Sequence, residues 1–172
     1  MHNNYMLAIG KHFQQVQCQC VGNGSVYEDI IHTGGDPIPS KSELDAVILA
    51  DAREDLWQRI KDERDRRKAN GVLVTVPGET TQKWFHSDDT SRIQQIALVM
   101  MGASLPQNLQ WKTLDGSYII MTQALAMTIF QTTAYFDQMN FANTEQHRLA
   151  MLQAASPDDY DFSSGWMPTF GE

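Results

Sequence analysis

The stretch between residues 40 and 71 constrains the fold more than any other. Seven of the chain's 13 basic residues, Arg53, Arg59, Lys61, Arg64, Arg66, Arg67 and Lys68, lie within its positions 51–68 beside Asp51, Glu54, Asp55, Asp62, Glu63 and Asp65. Mixed signs at this density mark a helix surface, where residues three and four apart pair. Ser40 and Glu43 have the spacing of a capping box, and Asn70-Gly71 is a helix stop. The pattern therefore predicts one long helix over 42–69. Its apolar positions Leu44, Val47, Ile48, Leu56, Trp57 and Ile60 step by three and four, and none follows until Ala69. The first half is expected to pack, and the second to project into solvent or lie between domains or subunits. A narrow stripe flanked by charges also suits short assembly with copies of the same helix.

The segments on either side carry weaker patterns. Tyr5, Leu7, Ala8, Ile9, His12 and Phe13 suit a short helix, and residues 16–21 alternate as a half-buried strand does. Gly22-Asn23-Gly24 turns the chain, residues 25–31 suit a return strand, and Gly34-Gly35-Asp36-Pro37-Ile38-Pro39 reads as a loop. After Gly71, Val72, Val74 and Val76 alternate, Pro77-Gly78 turns, and residues 82–86 return with Trp84 on the covered face. Ser87-Asp88-Asp89-Thr90-Ser91 offers caps for a helix over 91–103 that buries Ile93, Ile96, Ala97 and Met100. Asp115-Gly116 has the composition of a type I′ turn between strands 109–113 and 117–121. Thr122 then caps a helix over 123–155. Its inward face is expected to hold Leu125, Ile129, Phe130, Thr133, Phe136, Met139, Leu149 and Leu152.

Residues 157–172 differ from the rest. They hold four acids, no base, and the aromatics Tyr160, Phe162, Trp166 and Phe170 without helical or strand period. Exposed aromatics cost free energy, so this tail is expected to dock on its own hairpins or on a neighbouring chain. These elements together predict an α+β, mostly helical chain. It has a long central helix, two β-hairpins, two further helices and an extended aromatic C-terminal tail. The organisation is an N-terminal region over 1–41, the helix over 42–70, a hairpin-helix-hairpin-helix domain over 71–156 and a docking tail over 157–172.

Composition narrows the chemistry. A chain of 172 residues buries roughly 70% of its unfolded surface, enough for one core or two small ones. With 21 acids against 13 bases and a net charge of −8, the backbone of nucleic acid is a poor partner. No apolar run is long enough to span a membrane. The opening residues Met1-His2-Asn3-Asn4-Tyr5 lack the pattern of a signal peptide, which gives a soluble, cytoplasmic expectation. His2, His12, His32, His86 and His147 are scattered, without the i, i+4 spacing of a metal helix. Cys18 and Cys20 share one strand face and are expected to be buried thiols. Asp88 and Asp89 read as helix caps before they read as catalytic acids. The Val99-Met100-Met101 run and Trp84, Trp111 and Tyr118 suit packing. No phosphate loop, nucleophile elbow or dinucleotide fingerprint is present. Neither a catalytic residue nor a cofactor is expected.

Several ordered segments carry a resemblance. They are residues 59–67, Gly71, Trp84-Phe85-His86-Ser87-Asp88 with Ser91-Arg92, Trp111-Lys112-Thr113-Leu114-Asp115-Gly116 with Met121-Thr122, and Tyr160-Asp161-Phe162-Ser163-Ser164-Gly165-Trp166. Over the C-terminal two thirds the chain resembles a domain of unknown function that recurs in bacteriophage and prophage tail-module proteins. The resemblance implies a virion tail component at the tip, baseplate or fibre attachment, made in the bacterial host cytoplasm. It implies other tail proteins as partners, such as a fibre or baseplate protein, and a homo-oligomer. A tail-fibre assembly chaperone absent from the finished particle is the alternative. Trp57, Tyr160, Phe162, Trp166 and Phe170 are the expected partner contacts.

Overall fold

The structure is a computed structural model that describes residues 4–172. His2 therefore lies outside the described residues. The described residues form an α+β fold with four helices and three antiparallel two-stranded hairpins. It divides into two units, Met1–Arg59 with Arg148–Asp161 and Ile60–His147 with Phe162–Glu172. Both long helices contribute a segment to each unit.

In the first unit, α1 (Tyr5–His12) starts at Asn4, whose side chain accepts the Leu7 N–H. Tyr5, Ala8 and Ile9 bury one face of α1 together with Leu44 of α2 (Lys41–Ala69). The Tyr5 hydroxyl donates to Asp45 at 2.8 Å, and Asp51 takes Lys11 and His12, so both sides of the contact are polar-locked. The capping box at the start of α2 is reciprocal. Ser40 N–H donates to Glu43 at 2.8 Å, and Glu43 N–H donates to Ser40 Oγ at 3.3 Å.

The first hairpin pairs β1 (Val16–Cys20) with β2 (Ile30–Gly35). The return strand therefore runs later than the expected 25–31, and Tyr27–Asp29 forms a 3-10 turn instead. Gly34 and Gly35 belong to the strand and do not break it. A bulge at Gln17/Cys18 brings Gly35, at φ +73°, so close to the Gln15 carbonyl that a Cβ there would lie 2.0 Å from it. Glycine permits the crossing. Cys18 and Cys20 are half-buried on one face, less covered than expected. Burial, then the neighbouring Cys20, pushes the Cys18 thiol up.

In the second unit, β3 (Val72–Thr75) pairs with β4 (Gln82–Phe85) through a turn in which Pro77 precedes Gly78 at φ +82°, the arrangement of a type II turn. Val72, Val74 and Phe85 join Leu98, Met121, Leu125, Ala126, Ile129 and Phe136 in one core. Each large fully buried side chain there contributes about 1.5–3 kcal/mol.

The third hairpin, β5 (Gln110–Lys112) with β6 (Tyr118–Ile120), does not use a two-residue turn. Thr113 N–H donates to Ser117 O, Gly116 N–H donates to Thr113 O, and Gly116 alone takes a positive φ. This is a three-residue loop with a glycine bulge. Asp115 decides the difference: its carboxylate accepts from Ser117 N–H, Ser117 Oγ and Thr113 Oγ1, and pairs with Lys83 at 3.0 Å. The hydroxyls of Ser117 and Thr113 lead in holding this carboxyl far below the usual range.

Helix α3 (Asp89–Met101), capped by Asp88, begins two residues earlier than expected and presents a different face to the core. Gln95 and Leu98 are buried, while Ile93, Ile96, Ala97 and Met100 face outward. Two polar residues displaced the apolar stripe because each finds a partner that chain spacing does not reveal. Gln95 donates to His86 O at 2.7 Å, and Arg92 grips Asp137 of α4 (Gln123–Gln153).

Thr122 caps α4 by accepting Leu125 N–H at 3.1 Å. Leu125, Ile129, Thr133 and Phe136 point inward as expected, but Phe130, Met139, Leu149 and Leu152 are exposed. Farther along α4 the inward positions belong to Asn140, Asn143, Thr144 and His147.

The last two turns of α2 do not project freely either. The Arg67 side chain is only 11% exposed and pairs with Glu63 at 2.5 Å. Within the second unit this part of the helix serves as a platform for the C-terminal tail.

Candidate interaction surfaces

The shared motif around residues 84–92 builds a knot at the C-terminal end of α2. Gly71 N–H donates to Ser87 Oγ at 2.8 Å, and that hydroxyl donates to Lys68 O at 2.7 Å. Arg92 donates to Ser87 O and Lys68 O and makes a bidentate pair with Asp137 at 2.5 and 2.9 Å. These groups terminate α2, start α3 and join both to α4, so their chemistry is consumed by architecture. Asp88 caps α3, and the Ser91 hydroxyl and N–H hold its carboxyl below the usual range. Asp89 pairs with Lys68 at 3.3 Å. The two acids have separate structural partners. Among the described residues no group of three His, Cys, Asp or Glu side chains could hold a metal ion. Nor is any helix there long and apolar enough to cross a membrane.

The tail docks in cis. Phe170 N–H donates to Asn70 O at 3.0 Å, and the Asn70 amide donates to Thr169 Oγ1 and Phe170 O. Thr169 is fully buried. Met167 N–H reaches Asn140 Oδ1 at 3.2 Å, and Asn143 and His147 Nε2 donate to Ser164 O at 3.1 and 3.0 Å. That contact places the proton of His147 on Nε2. Gly165, at φ +81°, passes Asn143 so closely that a Cβ would lie 2.3 Å from Oδ1. Arg66 and Arg67 bind Glu172 at 3.1 and 3.0 Å. Burial pushes the Glu172 carboxyl up, but Arg66, Thr169 N–H and Arg67 together hold it below the usual glutamate range.

The aromatics expected to contact a partner are distributed as follows. Trp57 and Tyr160 lie half-buried in the first unit. In the second, Trp166 donates its indole N–H to Phe162 O at 2.7 Å, stacks on His147 at 5.4 Å, and lies 5.6 Å from the Arg67 guanidinium. Phe162 meets His147 edge to face, and Phe170 meets Trp84 edge to face with its outer side open. Sequence reasoning missed the residues that hold this strap: Arg67, Asn70, Asn140, Asn143 and His147. A signal was present in the polar residues 140, 143, 144 and 147, which recur at helical spacing on the same face as Ile129 and Phe136. A polar stripe on an inward face suits an extended backbone laid across it.

The second unit leaves apolar surface open on two helices. Helix α4 holds only Asp137, Glu145 and Arg148 as charged residues in 31 positions. Met127, Phe130, Tyr135 and Phe141 all stand at least 40% exposed on it. A helix apolar all round is ordinarily covered all round. Helix α3 carries the second open stripe, the Ile93, Ile96, Ala97 and Met100 face.

A family profile described as a domain of unknown function (DUF4376) matches residues 51–164, about two thirds of the chain, and the protein belongs to that family. The match includes the knot and every strap-holding residue named above, and stops before Gly165 and Trp166. No curated protein and no solved structure matches the chain.

Proposed function

We propose that this DUF4376 protein is a structural component of a phage tail, at the tip, baseplate or fibre attachment, and works through protein contacts. The resemblance of its ordered motifs to phage tail-module proteins supplies the setting. The observation that carries a contact role is the outer face of α4, where Met127, Phe130, Tyr135 and Phe141 stay exposed on a helix almost without charge. A side chain of that size is worth about 1.5–3 kcal/mol when covered, so a partner helix or fibre end laid along it would gain several such contributions. The natural partner is a fibre or baseplate protein, and the site of action is the virion tail, reached from the host cytoplasm.

A second reading is favoured by the methionines. Met100, Met101, Met127 and Met139 are all exposed in the second unit, and flexible thioethers adapt to irregular apolar partners. That suits an assembly chaperone that leaves before the particle is complete. Mass spectrometry of purified particles separates the two, because stoichiometric peptides from this chain contradict a purely transient chaperone. Phe130→Glu with Phe141→Glu tests the face itself. The doubly substituted chain should keep its helical circular dichroism and lose incorporation into particles; normal incorporation would refute this use of α4.

A further inference from the structure

We propose that the sulfurs of Met6, Cys18 and Cys20, where α1 lies against the first hairpin, form a three-coordinate site for one soft monovalent metal ion, copper(I). The site belongs to the first unit, and the inference does not depend on the tail reading.

The hairpin and the helix bring the three sulfurs together from different elements. Cys18 and Cys20 stand two residues apart on β1, so both side chains leave the same face of the strand. Cys18 packs at the edge of the core formed by Tyr5, Ala8, Ile9 and Leu44, and its thiol donates to Met6 Sδ at 3.8 Å. Two sulfurs that share one ion at about 2.3 Å each stand about 3.8–4.0 Å apart, so this pair already has the spacing of two ligands. Burial first and the charge of Cys20 second push the Cys18 thiol up, which puts the two thiols within electrostatic reach of each other. Cys20 and Met6 also meet the same turn. The Cys20 thiol donates to Gly22 O at 3.5 Å, and a Cβ on Gly24, at φ +77°, would lie 2.9 Å from Met6 Cγ. Tyr5 N–H donates to Gly24 O at 2.8 Å and ties that turn to the start of α1. The thioether is thus held in place before any ion arrives, and all three residues are half-buried, so an ion can reach them from solvent.

The donor set selects the ion. Thiolate and thioether sulfur are soft ligands and favour copper(I). Zinc takes four ligands, drawn from thiolate, imidazole and carboxylate. Among the described residues no His, Asp or Glu side chain joins the two thiols in a metal-holding group. His32 faces Cys18 across the hairpin, but its Nε2 meets Asp36 O at 2.9 Å. The remaining donor is the Met6 thioether, which completes a three-sulfur set and leaves zinc one ligand short. On binding, both thiols lose their protons to solvent and the copper stays monovalent, so no electron is exchanged.

The full chain, titrated without oxygen against the copper(I) complex of bicinchoninate, should withdraw one equivalent of copper. Cys18→Ser or Cys20→Ser should each lower the affinity by about 100-fold or more, and Met6→Leu by about 10-fold or more, since even outer-shell partners of a metal contribute that much. Met6→Leu conserves volume, so its circular dichroism and thermal midpoint should match those of the parent chain. X-ray absorption at the copper edge reads the site without any substitution. It should show three sulfur neighbours, and in selenomethionine-labelled chain one of them should become selenium. Failure to withdraw copper, equal affinity after Met6→Leu, or no selenium beside the copper overturns the three-sulfur site. Zinc retained as tightly as copper overturns the choice of ion.

Discussion

Replacing Gly71 with alanine should destabilise the second unit far more than the same change at Gly78, and the difference measures how tightly the knot is packed. Gly71 sits at φ +92°, and a Cβ added there would meet Leu114 Cδ1 at 2.4 Å, Phe170 Cβ at 3.3 Å and Phe85 O at 3.4 Å. Gly78 has a similar φ of +82° with nothing within 4 Å. The backbone contribution is common to both, about 1–2 kcal/mol for an L side chain in the left-handed region. Only Gly71→Ala adds overpacking, about 1–3 kcal/mol more, because Leu114 must swing away and the Phe170 and Phe85 contacts tighten. The expected totals are about 2–5 kcal/mol at Gly71 and about 1–2 kcal/mol at Gly78. With a urea slope of about 2 kcal/mol per molar, the midpoint of Gly71→Ala should fall by roughly 1–2.5 M. Tryptophan fluorescence is the suitable probe, since Trp84, Trp111 and Trp166 belong to this unit and Trp57 to the other. A double-mutant cycle with Leu114→Ala should recover about 1–3 kcal/mol of coupling. Equal midpoints for the two alanine variants, or no coupling to Leu114, would refute the packing argument.

Arg92→Met should cost the second unit about 2–4 kcal/mol by urea denaturation, since it unpairs Asp137, leaves Ser87 O without a donor and takes one of two side-chain donors from Lys68 O. Arg92→Lys should recover little, as an ammonium cannot reproduce the bidentate fork. The strap should loosen in acid. The Glu172 carboxyl is held below the usual range near 4.5, so its contribution is complete above that value and is lost as pH falls through its folded-state pKa. Glu63, lowered chiefly by Arg66, acts in the same direction. Hydrogen-exchange protection of the Phe170 amide should therefore drop between about pH 5 and pH 3, and Glu172→Gln should flatten that dependence. Unchanged protection across that window contradicts the role given to the Arg66 and Arg67 pairs. Removing residues 166–172 should leave the first unit intact while raising exchange at β3 and β4, because Trp84 loses Phe170 and Asn70 loses three hydrogen bonds to Thr169 and Phe170. Exchange at β3 and β4 equal to that of the full chain would show that the strap adds nothing to the unit.

Local chemistry was legible wherever it was decided by neighbours in sequence. Ser40 and Glu43 close their capping box and Thr122 starts α4, because each needs only partners within four residues; Asn70-Gly71 marks the end of α2, although Gly71 N–H finds Ser87 Oγ 16 residues on. Faces were harder to assign. Helix α3 has the right period, but two stripes could have been buried. The choice fell to Gln95 and Arg92, whose partners His86 O and Asp137 lie 9 and 45 residues away. Helix α4 posed the same problem over 31 residues, with apolar side chains on every side. Asp115-Gly116 suggested the shorter turn, and only the reach of Asp115 to Ser117, Thr113 and Lys83 selects the longer one. The docking of the tail was foreseeable from its aromatics. Its cis destination was not, because the acceptor is a set of polar side chains drawn from α2 and α4 about 20 to 100 residues away.

That separation also makes the second unit slow to finish. The Asn70 to Phe170 contact closes a loop of 100 residues, and the entropy of that closure has to be met before the Asn70 contacts form. The β3 and β4 hairpin forms over 14 residues, so it can assemble and dissolve many times before the tail arrives. Refolding should accordingly proceed in two stages, a core with Trp84 still wet and then the seating of Phe170 upon it. In unfolding the same strap leaves first. A protease sampling the native ensemble should cut within residues 160–168 long before it reaches β3, and the rate of that first cut is a clock for the strap alone.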